Sequence, residues 1–192
     1  MFMTIWMEML SSQYSENIIK MNYKNLFNLK KKVSVVTGAS GILGKEFSAA
    51  LAQYGSDLAL IDTNQNLLNK TAQSLSKRYK IKCKGYVCDV SNEKVVKYTA
   101  TKIEKDIGKI DILLNNAATK TDSLEEFFMP LEKYDLDTWK KIMDVNLDGM
   151  YIVAKEIGSR MAKRKKGSIV QTSSIYSSSM AADQRIYEGS EY

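Results

Sequence analysis

Three glycines set close together carry the first chemical signal in the chain. Gly38, Gly41 and Gly44 follow a run of β-formers ending at Thr37 and lead into a helical pattern that starts at Ile42. Without Cβ atoms, such a turn lets the backbone approach a bound group closely. The helix behind it offers free N–H groups and the positive end of a dipole to an anion. In a strand–turn–helix setting the three glycines suit a dinucleotide: one makes the tight turn, one admits the pyrophosphate, and one lets the helix pack on the strand. Ser40 and Ile42 lie in the same turn and belong to the expected cradle. Asp62 ends the next apolar run, eighteen residues beyond Gly44. A carboxylate there accepts from the adenosine ribose hydroxyls and repels a 2′-phosphate, and no Arg or Lys stands beside it. The pattern therefore predicts NAD rather than NADP as cofactor.

Two rival readings use the same residues. Gly44-Lys45 invites comparison with the phosphate loop of NTPases, but Glu46 stands where Ser or Thr would bind magnesium, and Ala39 replaces the upstream glycine. The other rival is a turn with a purely structural role, with Asp62 an exposed turn residue.

The elements that must position these residues alternate along the chain. After the first strand, Ile42, Leu43, Phe47, Ala50, Leu51 and Tyr54 recur at helix spacing up to Gly55. A strand is expected over 58–61, a helix over 66–79, a strand over 81–88 and a helix over 92–107. A short apolar strand, 110–114, and a longer connection, 117–135, come next. One amphipathic helix of about 137–164 and a fifth strand, 168–172, complete the pattern. Strand–helix alternation implies a parallel sheet covered by helices on both faces, and right-handed crossovers make it a doubly wound, Rossmann-like α/β fold. Residues 1–25 read as a loosely ordered extension and 26–192 as one nucleotide-binding domain. Within the long helix, Trp139, Ile142, Met143, Met150, Val153, Ile157 and Met161 form one apolar face. Asn146 lies in that face, where an amide is costly unless bonded.

Composition excludes several classes. With 44% hydrophobic and 26% charged residues the chain is of globular type. The 28 Lys and Arg against 22 Asp and Glu give a formal charge of +6. The densest basic run, 163–166, ends a helix, where the dipole favours cations. No aromatic–basic reader motif accompanies it, so no nucleic-acid partner is expected. No stretch is apolar and long enough to cross a membrane, and residues 1–9 lack the basic flank of a signal peptide. There is no His, and Cys83 and Cys88 cannot alone build a zinc site, so no metal is expected. Five apart in one strand, the two thiols point to opposite faces and cannot bridge, which suits a reducing cytoplasm.

Taken together, Thr37-Gly38-x-x-Gly41-x-x-Gly44, Asp89-Val90 after the third strand and Asn115-Asn116-Ala117-Ala118 after the fourth resemble the short-chain dehydrogenase/reductase family. Asn146 in Val145-Asn146-Leu147 and Ser173-Ser174 after the fifth strand extend the resemblance, which covers about residues 26–180. It implies that Gly38, Gly41 and Gly44 cradle the pyrophosphate and that Asp89 and Val90 hold the adenine. Asn116, with Ala117 and Ala118 beside it, would support the ribose. Ser174 would polarise a substrate carbonyl or hydroxyl, and Asn146 would anchor the water chain of a proton relay. A small-molecule substrate and a homo-oligomeric parent protein are implied as well. Two positions depart from the family pattern: Ile42 stands where a glycine is usual, and Ala118 replaces the last residue of N-N-A-G.

The family's chemistry also needs a Tyr with a Lys four residues on, the Lys lowering the Tyr pKa. Thirteen residues after Ser174 stands Tyr187, but the Lys position is Glu191, whose charge would act the opposite way. The stretch 182–192 resembles an insertion in a bacterial branch linked to flagellin and surface-sugar modification, where the Tyr–Lys pair lies further on. The expectation is a chain that stops short of the pair, is inactive, and leaves its fifth strand as an exposed, aggregation-prone edge. The alternatives are Tyr187 acting without a Lys, and a non-catalytic NAD-binding module.

Overall fold

The computed structural model describes residues 26–120, 123 and 129–173. The elements are β1 (Val33–Thr37), α1 (Ile42–Gln53), β2 (Asp57–Asp62), α2 (Gln65–Tyr79), β3 (Cys83–Val87), α3 (Glu93–Asp106) and β4 (Ile112–Asn115). After a 3-10 turn, Leu131–Lys133, come α4 (Leu136–Met143), a π-helical turn (Asp144–Gly149), α5 (Met150–Lys163) and β5 (Ser168–Gln171). All strand pairings are parallel, in the order β3-β2-β1-β4-β5. The chain thus winds outward from β1 in one direction through β2 and β3 and in the other through β4 and β5. The carboxyl ends of β1 and β4 flank the crevice left by this reversal, where doubly wound sheets bind ligands.

The central strand shows why the sheet holds together. Every residue of β1 is buried, so its apolar side chains serve both faces. Val35 joins a cluster with Val96, Ile103, Leu113, Val153 and Ile157, under α3 and α5. Val36 points the other way, to Leu58, Leu60, Leu68 and Leu75, under α1 and α2. The buried Ser34 hydroxyl is satisfied by Ser56 at 2.7 Å. Local signals start the helices: the Asn64, Asn92 and Asp135 side chains accept from backbone N–H groups of α2, α3 and α4. On the outer side of the sheet Arg160 of α5 donates to Glu104 of α3 at 2.7 Å and to Glu156 at 2.6 Å. This fork ties the two helices together.

The helix expected over 137–164 is present as one helical run from Leu136 to Lys163, with a π turn at Asp144–Gly149 inside it, and the side chain of Asn146 reaches from that turn to bond the segment after β4. A π turn carries an extra residue, which re-aims the side chains within it. β3 is shorter than expected, and Cys88 lies just past its end. β5 sits at one edge of the sheet with all four residues exposed, Ile169 and Val170 among them.

Because the sheet is parallel, every helix-to-strand connection lies at one end. That end carries Lys30, Lys31, Lys80, Lys82, Lys109, Lys165 and Lys166, all exposed. These seven lysines stand opposite the strand ends that bear the glycine turn.

Candidate functional site

The turn between β1 and α1 has the geometry its glycines imply. Gly38 takes φ +63°, a conformation that disfavours other residues. A Cβ there would lie 2.9 Å from the Cα of Ala117. Gly44 packs the helix on the turn: a Cβ would fall 2.1 Å from the Gly38 carbonyl oxygen and 2.8 Å from the Ala39 Cα. Gly41 is the N-cap of α1; a Cβ there would meet only the Gly38 oxygen, at 3.3 Å. No side chain caps this helix, and no acidic residue stands in its first turn. Its first backbone bond runs from Lys45 N–H to Gly41 carbonyl, which leaves the amides of Ile42, Leu43 and Gly44 aimed past the helix end. Ser40 is buried, yet its hydroxyl has no hydrogen-bond partner. An orphaned hydroxyl beside free amides is a donor set suited to phosphate oxygens, and the residues fit a pyrophosphate group.

Asp62 does more than the sequence suggested. Its Oδ2 accepts from the Ser40 N–H at 2.9 Å, latching the glycine turn to the end of β2. Its Oδ1 accepts from Thr63 and Asn64 N–H groups at 2.8 and 3.2 Å. A carboxylate has about four acceptor positions, so one remains on Oδ2 for a ribose hydroxyl. Asp62 therefore shapes the turn and faces the cleft at once. Asp89 is held similarly: Oδ1 accepts from both the N–H and the hydroxyl of Ser91, at 3.0 and 2.7 Å, and Oδ2 is left over.

These groups border one cleft of about 220 Å³, lined by Gly38, Asp62, Asp89, Val90, Ala117 and Val145 together with Ile61, Thr63, Cys88, Ala118 and Thr119. A smaller adjoining cleft of about 90 Å³ is bounded by Leu43, Asn116, Asn146, Met150 and Thr172, and shares Ala117 and Ala118. The structure thus brings the predicted Gly38, Asp62, Asp89, Val90, Asn116, Ala117, Ala118 and Asn146 to one connected depression. Ile42 is strongly exposed at the start of α1 and lines neither cleft, and Leu43 takes the wall position instead. Ser174, Tyr187 and Glu191 lie outside the described residues, as do residues 1–25.

A knot of hydrogen bonds under the cleft was missed in the sequence. The Thr37 hydroxyl donates to Asn115 Oδ1 at 3.0 Å and accepts from the N–H groups of Asn116 and Ala117 at 2.8 and 2.9 Å. Asn115, fully buried, donates from Nδ2 to the Met150 carbonyl and to Gln171 Oε1, each at 2.8 Å. One threonine and one asparagine thereby join β1, β4, β5 and α5 under the site. Asn116 points its Nδ2 back to the Thr37 carbonyl at 3.2 Å. Asn146 accepts from Thr119 N–H at 2.7 Å and donates to Thr119 carbonyl at 3.0 Å, so its amide fixes the segment that follows Ala118. The available signal was Thr37 itself, a polar residue in a fully buried strand.

Neither cysteine thiol is activated, Cys88 in the wall of the larger cleft or Cys83 at the far end of β3. Burial raises the Cys88 thiol pKa. Cys83 is pushed up to about 12, first by burial and then by Asp57. Tyr-x-x-x-Lys spacing does occur within the described residues, at Tyr98/Lys102 and Tyr151/Lys155. In both pairs the ammonium sits over its own ring, at 5.9 and 5.8 Å, on exposed helix faces, and neither Tyr borders the clefts.

Residues 32–191 match the short chain dehydrogenase family. The chain belongs to that family. It is 39% identical over 155 residues to the sorbose reductase of Candida albicans, covering 80% of this chain and 53% of that protein. It is 36% identical over 157 residues to a probable NADP-dependent mannitol dehydrogenase of Yarrowia lipolytica, covering 82% and 55%. The structure of NAD+-bound xylitol dehydrogenase superposes with a TM-score of 0.79 at 31% identity, over 85% of this chain and 60% of that one. The chain spans about half the length of the curated relatives it matches. Family membership makes it part of an oxidoreductase line with a Rossmann-type nucleotide-binding fold.

Proposed function

We propose that these residues form the dinucleotide-binding part of an oxidoreductase that moves hydride between NAD and a hydroxyl or carbonyl of a sugar or polyol. The observation that carries the proposal is the β1–α1 turn, with its uncapped helix amides, orphaned Ser40 hydroxyl and adjacent Asp62 carboxylate. When bound, the nicotinamide supplies the hydride acceptor or donor. The chain's own residues bind and orient. The amides of Ile42, Leu43 and Gly44, with Ser40, hold the pyrophosphate. Asp62 takes the adenosine ribose with the free position on Oδ2. Asp89 offers Oδ2 to the adenine amino group while Ser91 fixes its other oxygen. Leu43, Asn116 and Asn146 bound the smaller cleft, on the side of the reacting ring.

The preference for NAD rests on Asp62 alone, since several of the relatives are named for NADP. A 2′-phosphate would meet its carboxylate, and no Lys or Arg lines the cleft among the described residues. The sugar or polyol substrate class is supported by the relatives named for sorbose, mannitol and gluconate. The surface-sugar branch has only the sequence of 182–192 in its favour. No Tyr-x-x-x-Lys follows Ser174 in these 192 residues, so we propose binding without turnover for the chain as it stands.

Titration calorimetry with the folded chain tests the reading. NAD is expected to bind at least tenfold more tightly than NADP. Asp62→Ser should narrow that ratio while weakening both, because the Ser40 N–H loses its acceptor. Absence of NAD binding by folded protein, or an Asp62→Ser variant that keeps the ratio, would refute it.

A further inference from the structure

Gly149 ends the π-helical turn and is buried. Its φ of −60° and ψ of −43° are ordinary for a helix, so the backbone makes no demand for glycine. The demand comes from a neighbour. A Cβ on residue 149 would lie 2.7 Å from Val90 Cγ2, with the Val90 carbonyl carbon at 3.4 Å and the Asp144 carbonyl oxygen at 3.3 Å. Carbon atoms in good contact stand about 3.5–4.0 Å apart. Val90 is itself buried and packs in the core cluster with Val96 and Val153, and its other side lines the larger cleft beside Asp89. Its β-branched side chain has little rotamer freedom with which to step aside. Val145, on the same π turn, lines that cleft directly. The turn therefore meets the adenosine side of the site twice, once as wall and once from behind.

We propose that Gly149 sets the depth of the adenosine cleft by letting the π turn seat against the back of Val90. It is a positioning residue: it lines neither cleft and acts through Val90. A methyl at 149 forces Val90 toward the cleft or lifts the turn, and with it Val145, out of the wall. The inference rests on the dinucleotide reading above, and it goes beyond that reading in assigning the shape of the adenosine subsite to a residue outside it.

The test uses the 192-residue chain and four proteins: wild type, Gly149→Ala, Val90→Ala and the double variant. NAD and AMP are titrated into each, and the melting temperature of each is recorded. Gly149→Ala is expected to weaken NAD and AMP by a common factor of about tenfold, the scale of overpacking in a tight site. Removing the opposing methyls should relieve it, so the double variant should bind AMP within about threefold of Val90→Ala alone. A purely structural glycine predicts otherwise: Gly149→Ala would melt earlier yet, once folded, bind AMP as wild type does. That result overturns the inference, as does a loss of affinity that Val90→Ala leaves in place. If Gly149→Ala does not fold, the double variant decides alone: AMP affinity matching Val90→Ala supports the inference, and a further tenfold loss overturns it. A wild-type chain that binds neither ligand overturns the dinucleotide reading and this inference together. A wild type that binds both beside an indifferent Gly149→Ala overturns only this inference.

Discussion

Replacing Thr37 by Val tests the hydrogen-bond knot beneath the site. The two side chains have nearly the same shape, so no cavity forms, and the loss is that of the hydroxyl alone. Three groups lose their partner: the Asn116 and Ala117 N–H groups and the Asn115 side-chain carbonyl. Thr37, Asn115 and Ala117 are all buried, so water cannot substitute freely. A buried polar group left unsatisfied costs about 1–3 kcal/mol. Three at the low end of that range sum to about 3 kcal/mol. That is a large part of the roughly 5–15 kcal/mol that holds a typical domain together. Thr37→Ser keeps the hydroxyl and loses one methyl, for about 1 kcal/mol. Urea unfolding followed by circular dichroism measures both. A Thr37→Val variant within about 1 kcal/mol of wild type, or a Thr37→Ser variant as damaged as Thr37→Val, would refute the reasoning.

Other perturbations have distinct signatures. Ser40→Ala should stabilise the ligand-free chain by up to about 1 kcal/mol, because an unsatisfied buried hydroxyl goes, yet weaken NAD about tenfold; thermal melts and calorimetry must move in opposite directions. Gly44→Ala sets a Cβ 2.1 Å from a backbone oxygen, and neither partner is a flexible side chain. It should cost about 3 kcal/mol, read as a fall in melting temperature. With Cys83 at about 12, only about one thiol in ten thousand is ionised at pH 8. A disulfide reagent should therefore label the native chain slowly and the urea-unfolded chain at once. The same shift bears on alkaline stability. The folded pKa lies above the 9.0 of an ordinary thiol, so the contribution is full below pH 9 and is lost as pH rises to about 12. A Cys83→Ala variant should show a shallower alkaline decline.

Much of this architecture could be read before any coordinates. Continuous apolar runs of four to six residues between helical periods have few folding solutions, and the parallel order around β1 is one of them. Asp62 was legible as a cleft residue because the end of β2 is where a carboxylate meets ribose. Its latch on Ser40 was not, since the bond joins residues 22 apart whose approach depends on how tightly Gly38 turns. The pair Asn115-Asn116 illustrates a further limit. Adjacent residues on a strand point to opposite sides, and pattern alone does not say which amide becomes the buried hub and which faces the cleft. The π turn escaped for a related reason. Trp139 through Met161 keep three- and four-residue spacings that an unbroken helix would also satisfy. The contacts made by that turn, the Asn146–Thr119 pairing and the approach of Gly149 to Val90, are both non-local.

The gathering of lysines at the far end of the sheet has a kinetic consequence. Sites that hold phosphate with Lys or Arg draw their ligand in from a distance and lose that pull as salt is added. Here the cleft walls hold Asp62 and Asp89 and no cation among the described residues, while seven exposed lysines stand at the opposite end of the sheet. A dinucleotide would be captured only after chance arrival, by amides whose reach is a few ångströms. Its association rate should be modest and nearly flat with ionic strength, and crowding the lysine end with polyanions should leave the cleft open for business as usual.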